Sequence, residues 1–281
     1  MSSCFFFSPA KLNLTLQVLK KRSDGYHDIY TIFQKIDLFD EVEVEKGKRS
    51  FELEFISDEE IPIEENLVFK AWKKFKEVFN IIEGVKIRVK KGIPISAGLG
   101  GGSSNAATVL KALCYLYGIP TEDERVKNIA ISLGADVPFF LSPYSTALGE
   151  GIGEVLSPVT EFSCWYILIC PNIKVSTRWA YKNLGLTKPK NPVYYSFDIP
   201  LWESKEDLIN DFKELIFSQY KEMLEYEKAL KEVGALKVGL SGSGPTLFGM
   251  FGTEPPFFAY ETLKKSLKNV RIFLAKTLEE N

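Results

Sequence analysis

The chain is poor in histidine and cysteine. His27 is the only histidine among 281 residues, which excludes metal sites built from several histidines and leaves a Ser-His-Asp triad possible only with His27 as its base. The four cysteines, Cys4, Cys114, Cys164 and Cys170, show no CxxC spacing. We therefore expect small, reduced, buried thiols, as in a cytoplasmic protein.

The chain also lacks a surplus of positive charge. Its 35 Lys and Arg residues face 37 Asp and Glu residues, for a net charge of -2. Without a basic surplus to neutralise phosphates, we expect no nucleic-acid partner. The N-terminal "MSSCFFFSPAK" has no charged n-region before its short apolar run, so we do not expect a signal peptide.

One long stretch has no charge at all. "GIPISAGLGGGSSNAATVL", residues 92–110, is long enough to cross a bilayer, but its Gly, Ser and Pro content does not suit hydrocarbon. We therefore expect no membrane partner and a cytoplasmic location.

Periodicity outlines the secondary structure. "AKLNLTLQVL" alternates Lys11, Asn13, Thr15 and Gln17 with aliphatic residues, which predicts a half-buried strand with one polar face. "DEVEVEKGKRSFELEF" predicts a hairpin of two strands. A helix is predicted after the neutral loop, and a long helical region, unbroken or broken once, is predicted over residues 203–233. Strands and helices mix without regular alternation, so we predict an α+β fold of two lobes, residues 1–158 and 159–281, with the site in the cleft between them.

The neutral stretch has the layout of an anion-binding loop. A predicted strand precedes it, and Gly98, Gly100, Gly101 and Gly102 lead into a helix that Ser103 or Ser104 could cap. Glycine lets backbone N–H groups approach an anion, and a helix N-terminus adds unpaired donors. The alternative is a flexible turn where a helix crosses closely.

The loop matches none of the commonest nucleotide signatures. Gly102 is followed by Ser103 and Ser104, where a Walker loop needs Lys and then Ser or Thr; Ser103 also breaks the dinucleotide fingerprint started from Gly98. No HRD or DFG triplet of the protein kinases occurs.

"PISAGLGGGSSNAA" instead resembles the central motif of the galactokinase–homoserine kinase–mevalonate kinase–phosphomevalonate kinase (GHMP) superfamily. "SPAKLNLTLQV" and "LSGSGPTLF" resemble its first and third motifs, in the same order along the chain. The resemblance implies an ATP-dependent small-molecule kinase whose N-terminal lobe is similar to the second domain of ribosomal protein S5. With "DGYH" and "GADVPFF", it extends to members that phosphorylate the 2-hydroxyl of 4-diphosphocytidyl-2-C-methyl-D-erythritol, on the methylerythritol route to isoprenoids.

The resemblance implies roles for individual residues. Lys11 and Asp136 correspond to the catalytic pair, Asp136 as base; an Asp before Val-Pro is otherwise a natural helix N-cap. The ATP-binding residues implied by the central motif are Pro94, Ile95, Ser96, Ala97, Gly98, Leu99, Gly100, Gly101, Gly102, Ser103 and Ser104.

The same resemblance implies a second set of contacts, with the alcohol substrate. Tyr26 would stack on the cytosine ring and Tyr181 would form the opposite wall, with Trp179 as a rival for that place. Asn66 would contact the adenine. The full set of implied substrate-binding residues is Asn13, Tyr26, His27, Thr177, Tyr181, Gly242 and Gly244.

No carboxylate cluster for a metal stands out, so we expect Mg²⁺ on the ATP phosphates, touching Ser103 or Ser104. Three alternatives stay open: another GHMP kinase, a non-catalytic binding protein on this fold, and an RNA-associated protein. We expect a monomer or a homodimer.

Overall fold

The computed structural model describes residues 3–47, 50–160, 162–186 and 188–279. Its strands are β1 (Ser3–Lys21), β2 (His27–Gly47), β3 (Phe51–Ile56), β4 (Gly84–Lys90), β5 (Thr146–Glu150), β6 (Val155–Pro158), β7 (Trp165–Pro171), β8 (Lys237–Leu240), β9 (Leu247–Met250) and β10 (Val270–Lys276). Its helices are α1 (Leu67–Phe79), α2 (Gly101–Tyr117), α3 (Glu124–Leu133), α4 (Val137–Leu141), α5 (Thr177–Asn183), α6 (Lys213–Gln219), α7 (Glu222–Glu232) and α8 (Phe257–Ser266). The α+β class predicted from the sequence is confirmed.

The chain forms two compact units, each built from several segments. The first unit comprises Met1–Ala10, Leu38–Ile95 and Gly100–Pro143, and the second comprises Lys11–Asp37, Ser96–Leu99 and Tyr144–Asn281. The domain boundary predicted at residues 158 and 159 stays a prediction.

In the first unit the strands follow the order β3-β4-β2. Residues 41–47 of β2 run antiparallel to β4, and β3 runs parallel to β4 on its other side. The predicted hairpin of β2 and β3 is therefore wrong, because β4 lies between them. Alternation of polar and apolar residues predicts a strand and its two faces, but it does not determine which other strand pairs with it.

Four helices complete the first unit. α2 is buried along most of its length and packs against α1 and α4. The side chain of Asn66 caps α1 by accepting a hydrogen bond from the backbone N–H of Val68. Aliphatic and aromatic side chains of α1, α2 and α3 share one core with Val42 and Ile87 of the sheet.

The second unit holds two groups of strands. Residues 31–34 of β2 pair with β5, which pairs with β6. A four-stranded sheet has the order β10-β7-β9-β8, and its β8–β9 connection carries the predicted glycine turn.

The helical region predicted over residues 203–233 is broken once, as the sequence allowed, but it begins later than expected. Only α6 and α7 are helical there, because the preceding backbone pairs with β1: Leu16 N–H donates to the carbonyl of Ile209 at 2.8 Å, and Asp211 N–H donates to the carbonyl of Leu16 at 3.0 Å. Pairing with a strand distant in sequence overrides local helix propensity here.

Candidate active site

Lys11 lies on β1 in the second unit and is buried, with 3% of its surface exposed. Its Nζ donates to Oδ1 of Asn13 and, at 3.2 Å, to the carbonyl oxygen of Gly98. The ammonium also lies 5.7 Å from the centre of the Phe33 ring. This lysine is therefore held inside the unit rather than facing solvent.

The same hydrogen bonds join three motifs of the sequence within the second unit. Ser241 Oγ accepts from the backbone N–H of Asn13 at 3.2 Å and donates to the carbonyl of Gly98 at 2.9 Å. Lys11 N–H donates to the carbonyl of Leu99 at 3.0 Å. The strand motif, part of the glycine loop and the C-terminal glycine turn thus meet at one hydrogen-bonded network.

The polar face of β1 is buried rather than half-exposed, which corrects the sequence prediction. Asn13 donates to Thr31 Oγ1, Thr15 donates to the carbonyl of Ile209, and the Gln17 amide donates to Val193. The Pro-rich segment at 188–200 and the chain at 207–211 supply part of these partners. A buried polar row of this kind is stable only when its groups are hydrogen-bonded.

The backbone conformation and close packing at residue 98 require glycine. Its φ is +77°, and a Cβ there would lie within 3.0 Å of the carbonyl oxygen of Ser241, in the same unit. Neighbouring Ser96 also has a positive φ, 55°. The remaining residues predicted to bind ATP from Pro94 to Leu99 lie in the connection between β4 and α2.

The N-cap of α2 lies three residues before Ser103 and four before Ser104, the two serines predicted to cap the helix. Gly100, with φ of 71°, is the N-cap, and because it has no side chain it cannot cap the helix. The helix begins at Gly101, so Ser103 and Ser104 lie in its first turn. Ser104 Oγ is buried and shares a 2.7 Å hydrogen bond with Ser8 Oγ. A first helical turn has backbone N–H groups without partners in the helix, and no cap side chain covers them here. The turn can therefore receive an anion.

Asp136 occupies the N-cap position of α4 in the first unit without capping it. No hydrogen bond runs from its carboxylate to the helix start, and the residue is half-buried. Asp123, at the start of α3, differs: its carboxylate accepts from the backbone N–H of Arg125 at 2.9 Å. The cap explanation for Asp136 therefore fails in this structure.

The aromatic residues predicted to hold the base lie in the second unit. The rings of His27 and Tyr181 stack, with centroids 5.1 Å apart and planes at 29°. Tyr181 also meets the edge of Phe212 at 4.8 Å, while Tyr26 is 59% exposed. Burial lowers the pKa of His27, and the nearby charge of Lys21 lowers it further. The neutral imidazole is therefore favoured.

The C-terminal glycine turn has a positioning residue that the sequence analysis missed. Asn210 Nδ2 donates to the carbonyls of Leu240 at 2.7 Å and of Gly242 at 2.9 Å. Gly242 and Gly244 both have positive φ, 60° and 84°. The only local signal at Asn210 was a polar, cap-type residue before a helix.

Three further residues predicted to contact substrate or ATP have partners within the protein. Thr177, the first residue of α5, shares a 3.2 Å hydrogen bond with Ser243 of the glycine turn. Asn66, predicted to contact adenine, is 5% exposed and caps α1. Trp179 packs against the core of the second unit.

Among the residues that the structure describes, no group of three or more His, Cys, Asp or Glu side chains is placed to hold a metal ion. Within the same residues, no helix is both long and apolar enough to cross a membrane.

Comparison with known proteins gives concordant results. Residues 66–143 match the family model "GHMP kinases N terminal domain", and residues 197–269 match "GHMP kinases C terminal". The chain is 39% identical to the 4-diphosphocytidyl-2-C-methyl-D-erythritol kinase of Syntrophus aciditrophicus, over 97% of this chain and 98% of that one. It is 38% identical to the kinase of the same name from Thermodesulfovibrio yellowstonii, over 90% and 91%.

Solved structures agree. A crystal structure of 4-(cytidine 5'-diphospho)-2C-methyl-D-erythritol kinase superposes with a TM-score of 0.81 at 33% identity, covering 97% of this chain and 98% of the other. A Methanococcus jannaschii mevalonate kinase, at 14% identity and a TM-score of 0.65, shares the fold over 99% of both chains. The chain thus belongs to the GHMP kinases, enzymes that transfer phosphate from ATP to small molecules, and within them to the 4-diphosphocytidyl-2-C-methyl-D-erythritol kinase family.

Proposed function

We propose that the chain transfers the γ-phosphate of ATP to the 2-hydroxyl of 4-diphosphocytidyl-2-C-methyl-D-erythritol. The observation that carries the proposal is the buried network of Lys11, Asn13, Gly98 and Ser241, which ties together all three kinase motifs. The full-length relatives supply the substrate, since their names state it.

The first turn of α2 is suited to the phosphates of ATP. Gly100 and Gly101 leave its backbone N–H groups without a capping side chain, and the partial positive charge of a helix N-terminus favours an anion. A Cβ on Gly102 would meet only Leu67 Cδ1, at 3.7 Å. We assign phosphate binding to the backbone N–H groups of Gly100–Ser103, because the N–H of Ser104 donates to the carbonyl of Gly100 at 2.9 Å.

Lys11 supplies the positive charge in this proposal. A phosphoryl transfer depends mainly on positioning and on neutralising charge at the moving group. The ammonium is pre-organised by Asn13 and Gly98 and lies in a water-poor environment. A fixed cation of that kind stabilises developing charge more than a solvated one.

Asp136 serves as the base that accepts the proton of the attacking hydroxyl. Its carboxylate is not used as a helix cap, and it follows the α3 helix in the "GADVPFF" motif. A positioned carboxylate can raise the rate by about 10²–10⁴-fold as a general base.

The cytidine end of the substrate is assigned to Tyr26, His27 and Tyr181. The stacked rings of His27 and Tyr181 present an aromatic surface, and exposed Tyr26 adjoins it in sequence. By analogy with nucleic-acid binding, stacking of a base on an aromatic side chain is worth about 1–3 kcal/mol. Thr177, Gly242 and Gly244 stay predicted substrate contacts.

Mg²⁺ would enter with ATP rather than bind a protein carboxylate cluster. Magnesium commonly keeps several waters and binds through substrate phosphates, and Ser103 is the described hydroxyl of the first turn that remains half-exposed. The cytoplasmic location and the monomeric or homodimeric state stay predictions.

A substrate panel tests the proposal. The purified protein is given ATP and Mg²⁺ with 4-diphosphocytidyl-2-C-methyl-D-erythritol, mevalonate, homoserine or galactose, and ADP release is followed. We expect kcat/KM to be highest for the cytidylyl substrate. An equal or higher value for another alcohol would overturn the assignment.

A further inference from the structure

Asp40 is a fully buried carboxylate on β2 to which the proposed reaction gives no role. Its Oδ1 accepts hydrogen bonds from the backbone N–H groups of Gly92 and Ile93, each at 2.8 Å. Its Oδ2 accepts from Nδ2 of Asn105 at 2.8 Å and from Nζ of Lys91. One side chain therefore satisfies four donors, all within the first unit.

These donors lie on both sides of the glycine loop along the chain. Gly92 and Ile93 open the uncharged stretch where β4 ends, whereas Asn105 follows the first turn of α2. Asn105 also donates to Ser8 Oγ at 3.0 Å, and Ser8 shares a hydrogen bond with Ser104. The carboxylate thus connects the entry of the loop to the start of its helix.

Lys91 extends this connection to the first residue of α2. A Cβ on Gly101 would lie 3.0 Å from Lys91 Nζ, so the ammonium packs directly against the helix start. Nζ also donates to Asn105 Oδ1 at 3.3 Å. Burial lowers the pKa of Lys91, and the attraction of Asp40 opposes that shift. Loss of the carboxylate would leave a buried ammonium without its anion, which proteins tolerate poorly.

We propose that Asp40 is a positioning residue for ATP: it holds the entry of the glycine loop and the first turns of α2 in the geometry that receives the phosphates. The inference rests on the proposed phosphate binding at the backbone of Gly100–Ser103. Asp40 acts through Gly92, Ile93 and Asn105 and does not itself touch the nucleotide.

The test compares three variants with the wild type. Asp40→Asn keeps the size of the side chain but turns an amide donor toward the donors Lys91 and Asn105. Asn105→Ala removes the link to α2 while leaving the Asp40–Lys91 ion pair in place. Glu41→Gln is the matched control, because Glu41 is the next residue on β2 and its carboxylate is exposed, with Lys90 at 2.8 Å as its partner.

Three quantities are measured: calorimetric Kd for ATP with Mg²⁺, KM for the cytidylyl substrate, and hydrogen exchange at residues 92–105 without ligand. Asp40→Asn and Asn105→Ala should raise the Kd for ATP at least about tenfold, because each removes a hydrogen bond to a charged group that holds the phosphate-binding turn in place. Exchange across 92–105 should accelerate, while KM for the cytidylyl substrate and all values for Glu41→Gln stay unchanged.

A purely structural role would lower melting temperature and active fraction but leave the Kd for ATP of the folded molecules as in the wild type. That result in Asn105→Ala, or in Asp40→Asn if it folds, would overturn the inference. Failure of the wild type to bind ATP would overturn the proposed function instead, so the two failures are distinguishable.

Discussion

Lys11 donates a hydrogen bond from Nζ to Oδ1 of Asn13, its same-face neighbour on β1. Side chains two residues apart on a strand point to the same side, about 6–7 Å from each other at the backbone. Asn13 is fixed in turn by Thr31, to which it donates at 2.8 Å. The ammonium is therefore oriented before any substrate arrives, which is the condition for electrostatic catalysis.

Removing that ammonium should slow the chemistry. Lys11→Met keeps the length and the apolar stem, and we expect turnover to fall by about 10²-fold or more, with little change in the Kd for ATP. Lys21→Met, an exposed lysine at the end of the same strand, is the control. Single-turnover rates of the two variants test this prediction. A wild-type rate in Lys11→Met would show that this lysine has no role in the reaction.

Asp136 and Asp123 should separate catalysis from capping. Asp136→Asn and Asp136→Ala should both reduce the single-turnover rate by about 10²-fold or more, and Asp136→Ala should not show the loss of stability that removal of a helix cap causes, because the side chain makes no cap hydrogen bond. Asp123→Ala should lower stability and spare turnover, since Asp123 caps α3 and bonds to Arg125. Reversal of this pattern would restore the cap explanation for Asp136.

Glycine substitutions should distinguish a glycine that the backbone conformation requires from one that lies against the bound phosphate. Gly98→Ala should destabilise the fold by more than about 1 kcal/mol, because its φ is positive and the added Cβ would meet the Ser241 carbonyl. Gly102→Ala has room in the protein and should fold normally while weakening ATP binding. Gly101 is a poorer probe than its sequence suggests, since a side chain there would meet Lys91 and Ile93. Normal ATP affinity in folded Gly102→Ala would argue against phosphate at this turn.

His27 should titrate below the ordinary histidine pKa of about 6.5. Burial disfavours its charged form, so its contribution to stability is complete above that pH and is lost as pH falls through the lowered pKa. Because it is the only histidine, one imidazole resonance followed by NMR gives the value directly. Tyr181→Ala should raise the pKa by uncovering the ring, with Tyr26→Ala as the control. A wild-type pKa at or above the ordinary value would contradict the stacked, desolvated imidazole.

Local periodicity was enough to predict β1, β4 and the helix that follows the glycine loop, because each carries its own apolar spacing. It could not predict that β4 separates β2 from β3, since strand pairing depends on the whole sheet. The buried polar face of β1 was missed for a related reason: its partners, Ile209 and Val193, lie almost 200 residues away in sequence.

Residues of the candidate site could be predicted from the sequence where they belong to short motifs. Lys11, Asp136 and the glycines stand in such motifs, so their resemblance could be recognised. Asn210 and Asp40 stand outside them, and their roles follow from hydrogen bonds to backbone groups that only the folded chain brings near. Residues that act on another residue's backbone carry no chemical signature in the sequence.

Identification of the reaction product is the most direct test of the central claim. Equimolar ATP and 4-diphosphocytidyl-2-C-methyl-D-erythritol are incubated with the wild type and Mg²⁺, and ³¹P NMR and mass spectrometry follow both compounds. The account predicts one new phosphomonoester on the 2-hydroxyl for each ADP formed. ADP formed without phosphorylated alcohol, or phosphate at another hydroxyl, would contradict it.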